Sequence, residues 1–349
     1  MNDNGKKRMF PAEWERHDCV MMAWPHENTD WNYMLPEVRA CFAEIIRTIC
    51  EEERVLLIVP EGTDAERLAA DYSLDTAKIT MLGIPANDTW ARDFGPITIE
   101  IDGKPVMLDF KFNGWGLKFA ADKDNLINSR AAAAGAFAAP LVNRLNFVLE
   151  GGSVESDGEG TLLTTSECLL SPNRNGQLSR ADIEDFLIAT FGLRQVIWID
   201  NGALAGDDTD SHIDTLCRFA PGETILYTGC DDPADEHYGC LAKMRTDLMN
   251  ARTPDGKPYN LIELPLPDAV YDEEGNRLPA TYANFLITPR SVIMPVYNQP
   301  RKDLLATQIM KIAFPDREIK TVDCRPLIKQ HGSLHCVTMQ MPAGTVSFK

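Results

Sequence analysis

The sequence predicts an α/β fold built from five similar β-rich units, each with one main helix. Helical patterns are centred near residues 45, 132, 185, 243 and 308, and several short strand patterns separate them. A radial arrangement is favoured over a doubly wound sheet, because no Gly-rich turn links a strand to a helix as a phosphate site. No linker rich in Gly, Pro or Ser occurs, so residues 1–349 are predicted to form a single domain.

The first unit is predicted from an apolar run, an amphipathic helix and two further runs. The run Cys19–Ala23 reads as a buried strand that ends before Pro25. Pro36 suits a first helical position. One apolar face follows at helical spacing, formed by Val38, Phe42, Ile45, Ile46 and Ile49. Further predicted elements are strands at 54–60 and 78–85 and a short helix at 63–73.

The later units repeat this mixture of short strands and one helix. Two strand patterns flank Asp102-Gly103, which is a strong hairpin signal. Ser179 and Asp182 predict a capping box for a helix that Gly192 ends. The other predicted helices are 124–139, 234–252 and 301–314. The other predicted strands are two within 145–165 and those at 195–199, 213–219, 224–228, 260–264, 283–288 and 291–297.

The composition indicates an acidic globular protein with a large core. Of 349 residues 44% are hydrophobic, and 34 basic against 52 acidic residues give a net charge of −18. Such a chain repels phosphate backbones and anionic membranes and attracts cationic ligands. Nucleic acid and membranes are therefore excluded as expected partners.

Cysteine spacing and the N-terminal residues predict a cytoplasmic location. Nine cysteines form an odd set without a CxxC pair, which argues against a disulfide scaffold or a zinc ribbon. The first residues are basic but no apolar run follows them, so a secretory signal is not predicted. No run of 18 apolar residues suggests a membrane span. The thiols are expected to be reduced.

The stretch Gln330–Pro342 contains the candidate nucleophile, Cys336. Its thiol follows a Gly-Ser turn and precedes a run of strand-forming residues, where it can be rigid and still face a cleft. The alternative is a small buried hydrophobe without chemistry. Partners for the thiol would have to come from distant segments, near residues 90–93, 150–152 and 206–214, which a closed fold could bring together.

The loop Asn87–Pro96 offers an acid and an aromatic ring to such a site. Asp93 could bind a cation, although a turn carboxylate is the structural alternative and Arg92 could pair with an acid. Trp90 belongs either to the core or to the wall of a cation site, where the π face would contribute roughly 0.5–2 kcal/mol.

The acidic segment Asp207–Asp214 allows three interpretations. Its carboxylates and histidine could hold a metal, but it lacks the central glycine and terminal glutamate of a calcium loop. Alternatively, His212 is a general acid/base, and Asp214 points to the same side if both lie in a strand. A purely structural loop is the third interpretation. Because a nucleophilic thiol needs a proton partner, Cys336 favours the second.

Glu150 follows a strand pattern and, as a buried acid, needs a partner. It could bond backbone amides or orient His212 as the third member of a Cys-His-acid set. His335 is expected to face away from Cys336 if both lie in a strand. No companion is evident for the remaining histidines, which are His17, His26, His237 and His331.

Six segments occur together in one order. They are Pro11–Glu15 with Met22–Pro25, Trp90–Pro96, Phe112–Gly116, Leu149–Gly152, Asp207–Asp214 and the stretch that contains Cys336. In this order they resemble the agmatine deiminase and bacterial-type (Porphyromonas-type) peptidylarginine deiminase family of the guanidine-modifying (pentein) superfamily. The resemblance implies a five-bladed α/β-propeller with pseudo-fivefold ββαβ-type repeats.

The resemblance also implies roles for particular residues. Cys336 would take the covalent amidino group, and His212 would act as acid/base. Asp93 and Asp214 would grip the guanidinium, while Glu150 would support His212. The substrate-binding residues would be Trp90, Asp208 and Trp115. The resemblance implies no metal and no other cofactor.

The implied reaction is hydrolysis of agmatine to N-carbamoylputrescine and ammonia, a step of putrescine and polyamine synthesis. A small cationic guanidino compound is thus the expected partner, and a homodimer is one option for the assembly. Peptidylarginine deimination and a non-catalytic propeller that only binds are the alternatives. Agmatine-specific members usually carry a glycine-rich stretch with asparagine before Ile-His-Cys, where this chain has His331, Ser333 and Leu334. That departure weakens the agmatine assignment more than the deiminase chemistry.

Overall fold

The computed structural model describes residues 6–348 and has a mixed α/β fold. The strands are β1 (Arg8–Met9), β2 (His17–Ala23), β3 (Arg54–Val59), β4 (Ile79–Gly83), β5 (Ile97–Ile101), β6 (Lys104–Lys111), β7 (Leu141–Val148), β8 (Val154–Ser156), β9 (Thr161–Thr165), β10 (Gln195–Ile199), β11 (Cys217–Ala220), β12 (Thr224–Gly229), β13 (Asn260–Pro265), β14 (Val270–Tyr271), β15 (Arg277–Leu278), β16 (Leu286–Ile287), β17 (Ser291–Val296), β18 (Glu318–Asp323) and β19 (Met339–Pro342).

The α-helices are α1 (Leu35–Cys50), α2 (Ala65–Tyr72), α3 (Ala91–Phe94), α4 (Gly114–Leu117), α5 (Ile127–Ala133), α6 (Ser166–Leu169), α7 (Pro172–Asn175), α8 (Arg180–Phe191), α9 (Tyr238–Asn250), α10 (Pro300–Ala313) and α11 (Arg325–Ile328). Short 3-10 helices lie at Asn32–Met34, Asp124–Leu126, Gly151–Ser153 and Ile213–Thr215.

Five of the sheets share one pattern of connections. In each, a connection that contains one main helix joins two parallel strands, and the first of these strands also pairs with an antiparallel neighbour. The parallel pairs with their helices are β2-α1-β3, β6-α5-β7, β9-α8-β10, β12-α9-β13 and β17-α10-β18. The antiparallel neighbours are β19, β5, β8, β11 and β16. The five helix-bearing units that the sequence predicts are therefore present.

The last strand of the described chain joins the sheet of the first helix-bearing unit. The last strand, β19, pairs antiparallel with β2, and Met339 lies opposite Met21. This pairing brings the stretch that contains Cys336 against the first unit, because Cys336 precedes β19 by three residues.

The first unit shows why these residues form these elements. Pro lies in the first turn of α1, and the predicted apolar face of that helix, including Phe42, is buried. Strand β2 lies between antiparallel β19 and parallel β3, and β3 lies between two parallel strands, β2 and β4. Both are almost wholly buried, which explains their continuous apolar runs. The predicted capping box is also confirmed, since Ser179 and Asp182 bond each other at the start of α8 and Gly192 ends it with a φ of 73°.

Two predictions near the candidate site are wrong. The strand predicted at 213–219 begins only at Cys217, because Ile213–Thr215 forms a 3-10 turn. The run after Cys336 becomes a strand only from Met339 onward. Two expectations had assumed that side chains alternate along a strand. These were that Asp214 points to the same side as His212, and that His335 faces away from Cys336. Neither segment is a strand, so neither expectation has support.

Other predictions differ mainly in length. The helix predicted at 124–139 is reduced to a 3-10 turn and α5, after which Gly135 adopts a φ of 76°. The strand predicted at 283–288 pairs only over Leu286–Ile287. The sequence did not predict strands β1, β14, β15 and β18. Within residues 6–348 no helix combines the length and apolar content needed to cross a membrane.

The predicted site segments lie in turns between these elements, where side chains can leave the sheets. They are α3, the 3-10 turns Gly151–Ser153 and Ile213–Thr215, and the segment before β19. Backbone contacts join them across long sequence separations, as when the N–H of Arg92 donates to the carbonyl of Cys336 at 3.2 Å. The fold thereby holds short, distant motifs against one another.

Candidate active site

A cavity of about 360 Å³ reaches Cys336 and has the size of a small-molecule site. Five predicted site residues line it, namely Cys336, Asp93, Trp90, Trp115 and Asp208. Further acids on its walls are Asp30, Asp88 and Asp124, whereas the basic lining residues are Lys118 and His331. The ammonium of Lys118 is already paired with Asp210 at 2.6 Å. The cavity therefore suits a cationic ligand.

Cys336 is held in a turn by Asn284. The Oδ1 atom of Asn284 accepts from the backbone N–H groups of His335 (2.9 Å) and Cys336 (3.3 Å) and lies 3.4 Å from Sγ. Burial, followed by the carboxylates of Asp214 and Asp93, raises the pKa of the thiol well above its usual value. The thiol is thus protonated at neutral pH in the empty site, and the charge that activates it has to come from a ligand.

Asp93 points into the same buried region from α3. Its two oxygens accept from Nε1 of Trp115 (2.9 Å) and from the backbone N–H of Gly152 (3.0 Å). Burial, and then the neighbouring Asp214 carboxylate, raises the pKa of Asp93 well above its usual value. A cation placed between the two acids would relieve their repulsion.

The loop that carries Trp115 has an unusual backbone. From Gly114 to Leu117 all φ values are positive, between 54° and 80°. A positive φ is costly for residues with a side chain, and such strain is typical of functional sites. Its structural effect here is to direct the indole N–H of Trp115 at Asp93.

His212 is buried and neutral. Burial lowers the pKa of His212 to about 3. Its Nδ1 atom lies 3.5 Å from Oδ1 of Asp93, and within the described part of the chain its Nε2 atom has no hydrogen-bond partner. A neutral imidazole with a free nitrogen can accept a proton, as a general base must.

Gly152 shows how closely these groups converge. A Cβ atom on Gly152 would lie 2.7 Å from Nδ1 of His212, 2.8 Å from Oδ1 of Asp93 and 3.2 Å from Oδ2 of Asp214. The three side chains therefore surround a single backbone position that has room only for hydrogen. The sequence analysis placed these residues in one site, and the structure brings them together.

Asp214 has a partner that the sequence analysis missed. Its Oδ2 atom lies 2.7 Å from Nδ1 of His335, while Oδ1 has no hydrogen-bond partner among the described residues. Burial alone would raise the pKa of Asp214, but the hydrogen bond and charge of His335 lower it. His335, expected to face away from the site, instead contacts it through this acid.

Glu150 likewise has an unexpected partner. Both of its oxygens accept from Nε of Arg174, at 2.9 and 3.0 Å, and the same guanidinium bonds Asp210 at 2.5 Å. Glu150, Cys168 and His212 bring their ligand atoms within 4.8 Å of one another. Glu150 therefore lies beside His212, but its hydrogen bonds go to Arg174. The adjacent guanidinium makes this trio a poor place for a metal cation.

The acidic loop turns its side chains inward. Asp207 accepts from the N–H groups of Thr209 (3.2 Å) and Ser211 (2.7 Å), and Asp210 is paired with Arg174 and Lys118. Asp207 and Asp210 are therefore already engaged by groups of the protein, although the metal interpretation requires their carboxylates as ligands. Asp208 instead lines the cavity, and burial raises the pKa of Asp208 to about 6.

Trp90 and His331 form further parts of the cavity wall. Trp90 packs on Trp31 and Trp115, and a Cβ atom on Gly332 would lie 2.1 Å from the Trp90 ring. His331 has a φ of 66°, which favours glycine, and its Nδ1 atom lies 2.7 Å from the carbonyl of Gly206. His331 thus has a backbone conformation that favours glycine, and its side chain lines the cavity.

Several residues of this site carried no usable signal in the sequence. Asn284 and Arg174 lie outside every segment that the sequence marked as a candidate, and His335 adjoins Cys336 but was expected to face away from it. Glu13, whose Oε2 atom lies 2.7 Å from Nε2 of His335 and accepts from Arg218, lies in a segment marked only by the resemblance. Buried charges need partners, but a single sequence does not show which of its polar residues are buried next to them.

An imidazole and two carboxylates surround one buried point, and the thiol of Cys336 lines the acidic cavity that Asp93 also lines. A thiol, an imidazole and paired carboxylates in such a site are typical of enzymes that hydrolyse a guanidino C–N bond through a cysteine. The chain belongs to the Porphyromonas-type peptidyl-arginine deiminase family, whose model matches residues 9–342.

Similar proteins and solved structures also carry deiminase names. A Shewanella baltica protein named "Putative agmatine deiminase" is 35% identical over 361 residues, covering 96% of this chain and 94% of that protein. A solved "Putative Arginine Deiminase" of Porphyromonas gingivalis is 50% identical, with a TM-score of 0.92 over 98% of this chain and 100% of that one. A cysteine-to-serine variant of C. jejuni agmatine deiminase with substrate bound is 38% identical, with a TM-score of 0.89 and 98% coverage of both chains.

A more distant structure bears on the fold alone. Dimethylarginine dimethylaminohydrolase is 13% identical, with a TM-score of 0.51 over 93% of this chain and 100% of that one. The chain is thus similar in fold to a pentein-type protein.

Proposed function

We propose that this enzyme hydrolyses agmatine to N-carbamoylputrescine and ammonia through a covalent amidino-cysteine. The observation that carries the proposal is the convergence of Asp93, His212 and Asp214 on Gly152, next to the thiol of Cys336. The relatives named as agmatine deiminases support the choice of substrate.

Binding is the step that prepares the site. A guanidinium is cationic at any physiological pH, and two carboxylates can hold its N–H groups with paired hydrogen bonds. Asp93 and the free Oδ1 atom of Asp214 would form this pair. Because both acids also raise the pKa of the Cys336 thiol in the empty site, neutralising them with a bound cation favours the thiolate.

Attack and ammonia release form the first half of the reaction. The neutral imidazole of His212 accepts the thiol proton as Sγ of Cys336 bonds to the central guanidino carbon. The tetrahedral adduct then breaks one C–N bond, and the departing nitrogen takes the proton from His212 and leaves as ammonia. A thiouronium on Cys336 remains.

Hydrolysis completes the cycle. His212 deprotonates a water molecule, whose oxygen attacks the same carbon, and the C–S bond then breaks with its electron pair returning to Sγ. The adduct loses its hydroxyl proton to the released ammonia or to solvent, which leaves the neutral ureido product, and the proton on His212 returns to the thiolate. Glu150 would hold its neighbour His212 in place through packing and charge, with Arg174 fixing Glu150. No step requires a metal or an organic cofactor.

Two acids that line the cavity, Asp88 and Asp208, favour a substrate with a second positively charged group. Burial, and then the neighbouring Asp30, raises the pKa of Asp88 to about 7, and Asp208 faces the same space. A terminal ammonium such as that of agmatine would favour the ionised form of these acids, whereas the carboxylate of free arginine would be repelled. Trp90 and Trp115 would wall the carbon chain between the two ends.

We also propose that the five units close into a five-bladed propeller and form a single domain. The repeated connection pattern and the pairing of β19 with β2 support this architecture. A ring of this kind would explain why turns from four separate units meet at one cavity. The cytoplasmic location and the homodimer remain predictions.

Peptidylarginine deimination is the second candidate, and the description of the family favours it. Agmatine, free arginine and a blocked arginine peptide should be supplied in parallel, with ureido product and ammonia both measured. Agmatine is expected to be the preferred substrate by kcat/KM. A preference for the peptide would overturn the assignment of agmatine, and no ureido product from any of the three would overturn deimination.

The covalent step is tested with Cys336→Ala and a matched thiol variant. Cys230→Ala removes a partly exposed thiol elsewhere in the chain and should retain activity. Cys336→Ala should fold but form no product. Acid quenching of wild-type enzyme during turnover, followed by peptide mapping, should find the amidino adduct on Cys336, and an adduct on another residue would contradict the mechanism.

A further inference from the structure

His335 lies between two carboxylates and is fully enclosed. Its Nδ1 atom is 2.7 Å from Oδ2 of Asp214, and its Nε2 atom is 2.7 Å from Oε2 of Glu13. The side chain is only 2% exposed, and those of its two partners are 1% and 3% exposed. Both ring nitrogens therefore have a carboxylate oxygen as their partner at hydrogen-bonding distance.

The two carboxylates are ionised and can only accept. Oε1 of Glu13 accepts from the N–H of Ile287 (2.7 Å), and Oε2 accepts from Nη2 of Arg218 (2.8 Å). Burial alone would raise the pKa of Glu13, but Arg218 and His335 lower it well below its usual value. The pKa of Asp214 is lowered as well. A neutral imidazole has one N–H group and would leave one lone pair against an anion, so both nitrogens must be protonated.

Charge balance in the surroundings agrees with a cationic ring. The buried charge cluster consists of three carboxylates and three cations, which are Glu13, Glu155, Asp214, Arg92, Arg218 and His335. Asp93 and Cys336 face Asp214 from the side of the cavity. If His335 were neutral, the cluster would hold one uncompensated buried anion, which is strongly unfavourable.

We propose that His335 is a positioning residue, held as an imidazolium between Glu13 and Asp214, whose charge keeps Asp214 ionised and leaves its Oδ1 atom free for the substrate guanidinium. This inference rests on the proposed function and adds a reason why two adjacent acids, Asp93 and Asp214, can serve one cation. In the empty site Asp93 carries the proton that their repulsion favours, while His335 prevents Asp214 from taking one.

The protonation state is tested without any substrate. Of the six histidines, His335 can be assigned in ¹⁵N-labelled protein by the signals lost in His335→Gln. We expect both ring nitrogens of His335 to carry protons in the folded protein at neutral pH, because each lies 2.7 Å from a carboxylate oxygen. One unprotonated ring nitrogen under those conditions would overturn the proposal. If His335→Gln does not fold, Glu13→Gln serves for assignment and should make the ring neutral.

The effect on Asp214 is tested by kinetics and by carboxyl NMR. Loss of a charge partner raises a carboxyl pKa by about 1–3 units, so His335→Gln should move the acid limb of kcat/KM upward by at least about one pH unit. KM should rise more than tenfold at neutral pH and recover partly at higher pH. A KM and pH profile equal to those of the wild type would overturn the proposal.

Two further variants separate positioning from stability. His17→Gln removes another buried histidine paired with a glutamate, Glu53 at 2.8 Å, and should lower stability without moving the pH profile. In the double variant Glu13→Gln with His335→Gln the charge count is balanced again, so stability should recover while the raised KM persists. Recovery of both would show a merely structural role and overturn the proposal.

The outcome remains decidable if the proposed function fails. Should no guanidino compound be turned over, the reaction assignment is wrong, but ¹³C carboxyl NMR still follows Asp214 in the wild type and in His335→Gln. The proposal requires Asp214 to be ionised near neutral pH in the wild type and to titrate at a higher pH in the variant. An unchanged titration of Asp214 would overturn it.

Discussion

Replacing Gly152 by alanine tests the geometry of the site most directly. The φ of Gly152 lies outside the positive range, so alanine fits the backbone. The new Cβ atom, however, would approach Nδ1 of His212 to 2.7 Å, Oδ1 of Asp93 to 2.8 Å and Oδ2 of Asp214 to 3.2 Å. Contacts this short cannot persist in a close-packed interior, so these groups must retreat by roughly half an ångström or more.

The expected cost is larger for catalysis than for stability. Overpacking of this kind destabilises by about 1–3 kcal/mol, whereas a misplacement of about 1 Å among reacting groups can cost roughly 100-fold in rate. We therefore expect Gly152→Ala to fold with a lower Tm and to lose about 10- to 100-fold in kcat/KM, measured from ureido product formation with agmatine.

Gly239→Ala is the matched control. Gly239 lies in α9, and a Cβ atom there would have no neighbouring heavy atom within 4 Å. That variant should keep its activity and gain up to about 1 kcal/mol, because alanine restricts the unfolded chain. If folded Gly152→Ala retained kcat/KM within twofold of the wild type, the convergence of the three groups on Gly152 would have no catalytic meaning.

Three further predictions concern proton release, the buried arginine and the cavity wall. Agmatine binding to Cys336→Ala should release a proton and strengthen as pH rises, because the guanidinium lowers the raised pKa of Asp93. Calorimetry in two buffers with different ionisation enthalpies measures the number of protons released. No release would show that Asp93 is already ionised in the empty site. Arg174→Lys should lower the free energy of unfolding by about 3–5 kcal/mol, since lysine cannot bond Glu150 through a planar fork; denaturant titration measures it, and an unchanged midpoint would contradict it. His331→Gly should relieve a strained φ and change the free energy of unfolding by about 1 kcal/mol or less. It should also raise kcat/KM for arginine peptides relative to kcat/KM for agmatine. An unchanged ratio of the two kcat/KM values would show that the His331 ring does not narrow the entrance to the cavity.

Much of the fold could be predicted because it depends on local periodicity. The apolar spacing of α1, the hairpin at Asp102-Gly103 and the capping box of α8 are each contained in a few adjacent residues. The strand predicted at 213–219 failed because a 3-10 turn at Ile213–Thr215 interrupts an apolar pattern that fits either state. Periodicity cannot distinguish these states when the segment is short.

The candidate site also contains residues that could be predicted from the sequence and residues that could not. Cys336, His212 and Asp93 could be proposed from the chemistry of their residue types and from the resemblance. Asp214 could be proposed in the same way, but its partner His335 could not, because the two are 121 residues apart. The contact of His335 with Glu13 could not be proposed either, because 322 residues separate them. No local pattern connects residues at such separations.

The sequence alone determined the candidate catalytic residues, the number of helix-bearing units and the acidity that favours a cationic ligand. Tertiary structure alone decided that burial lowers the pKa of His212, that burial and neighbouring acids raise the pKa values of Asp93 and the Cys336 thiol, and that His335 lies within hydrogen-bonding distance of Asp214. The physical reason is that protonation depends on burial and on the charges within a few ångströms, and these neighbours are assembled only when distant turns meet.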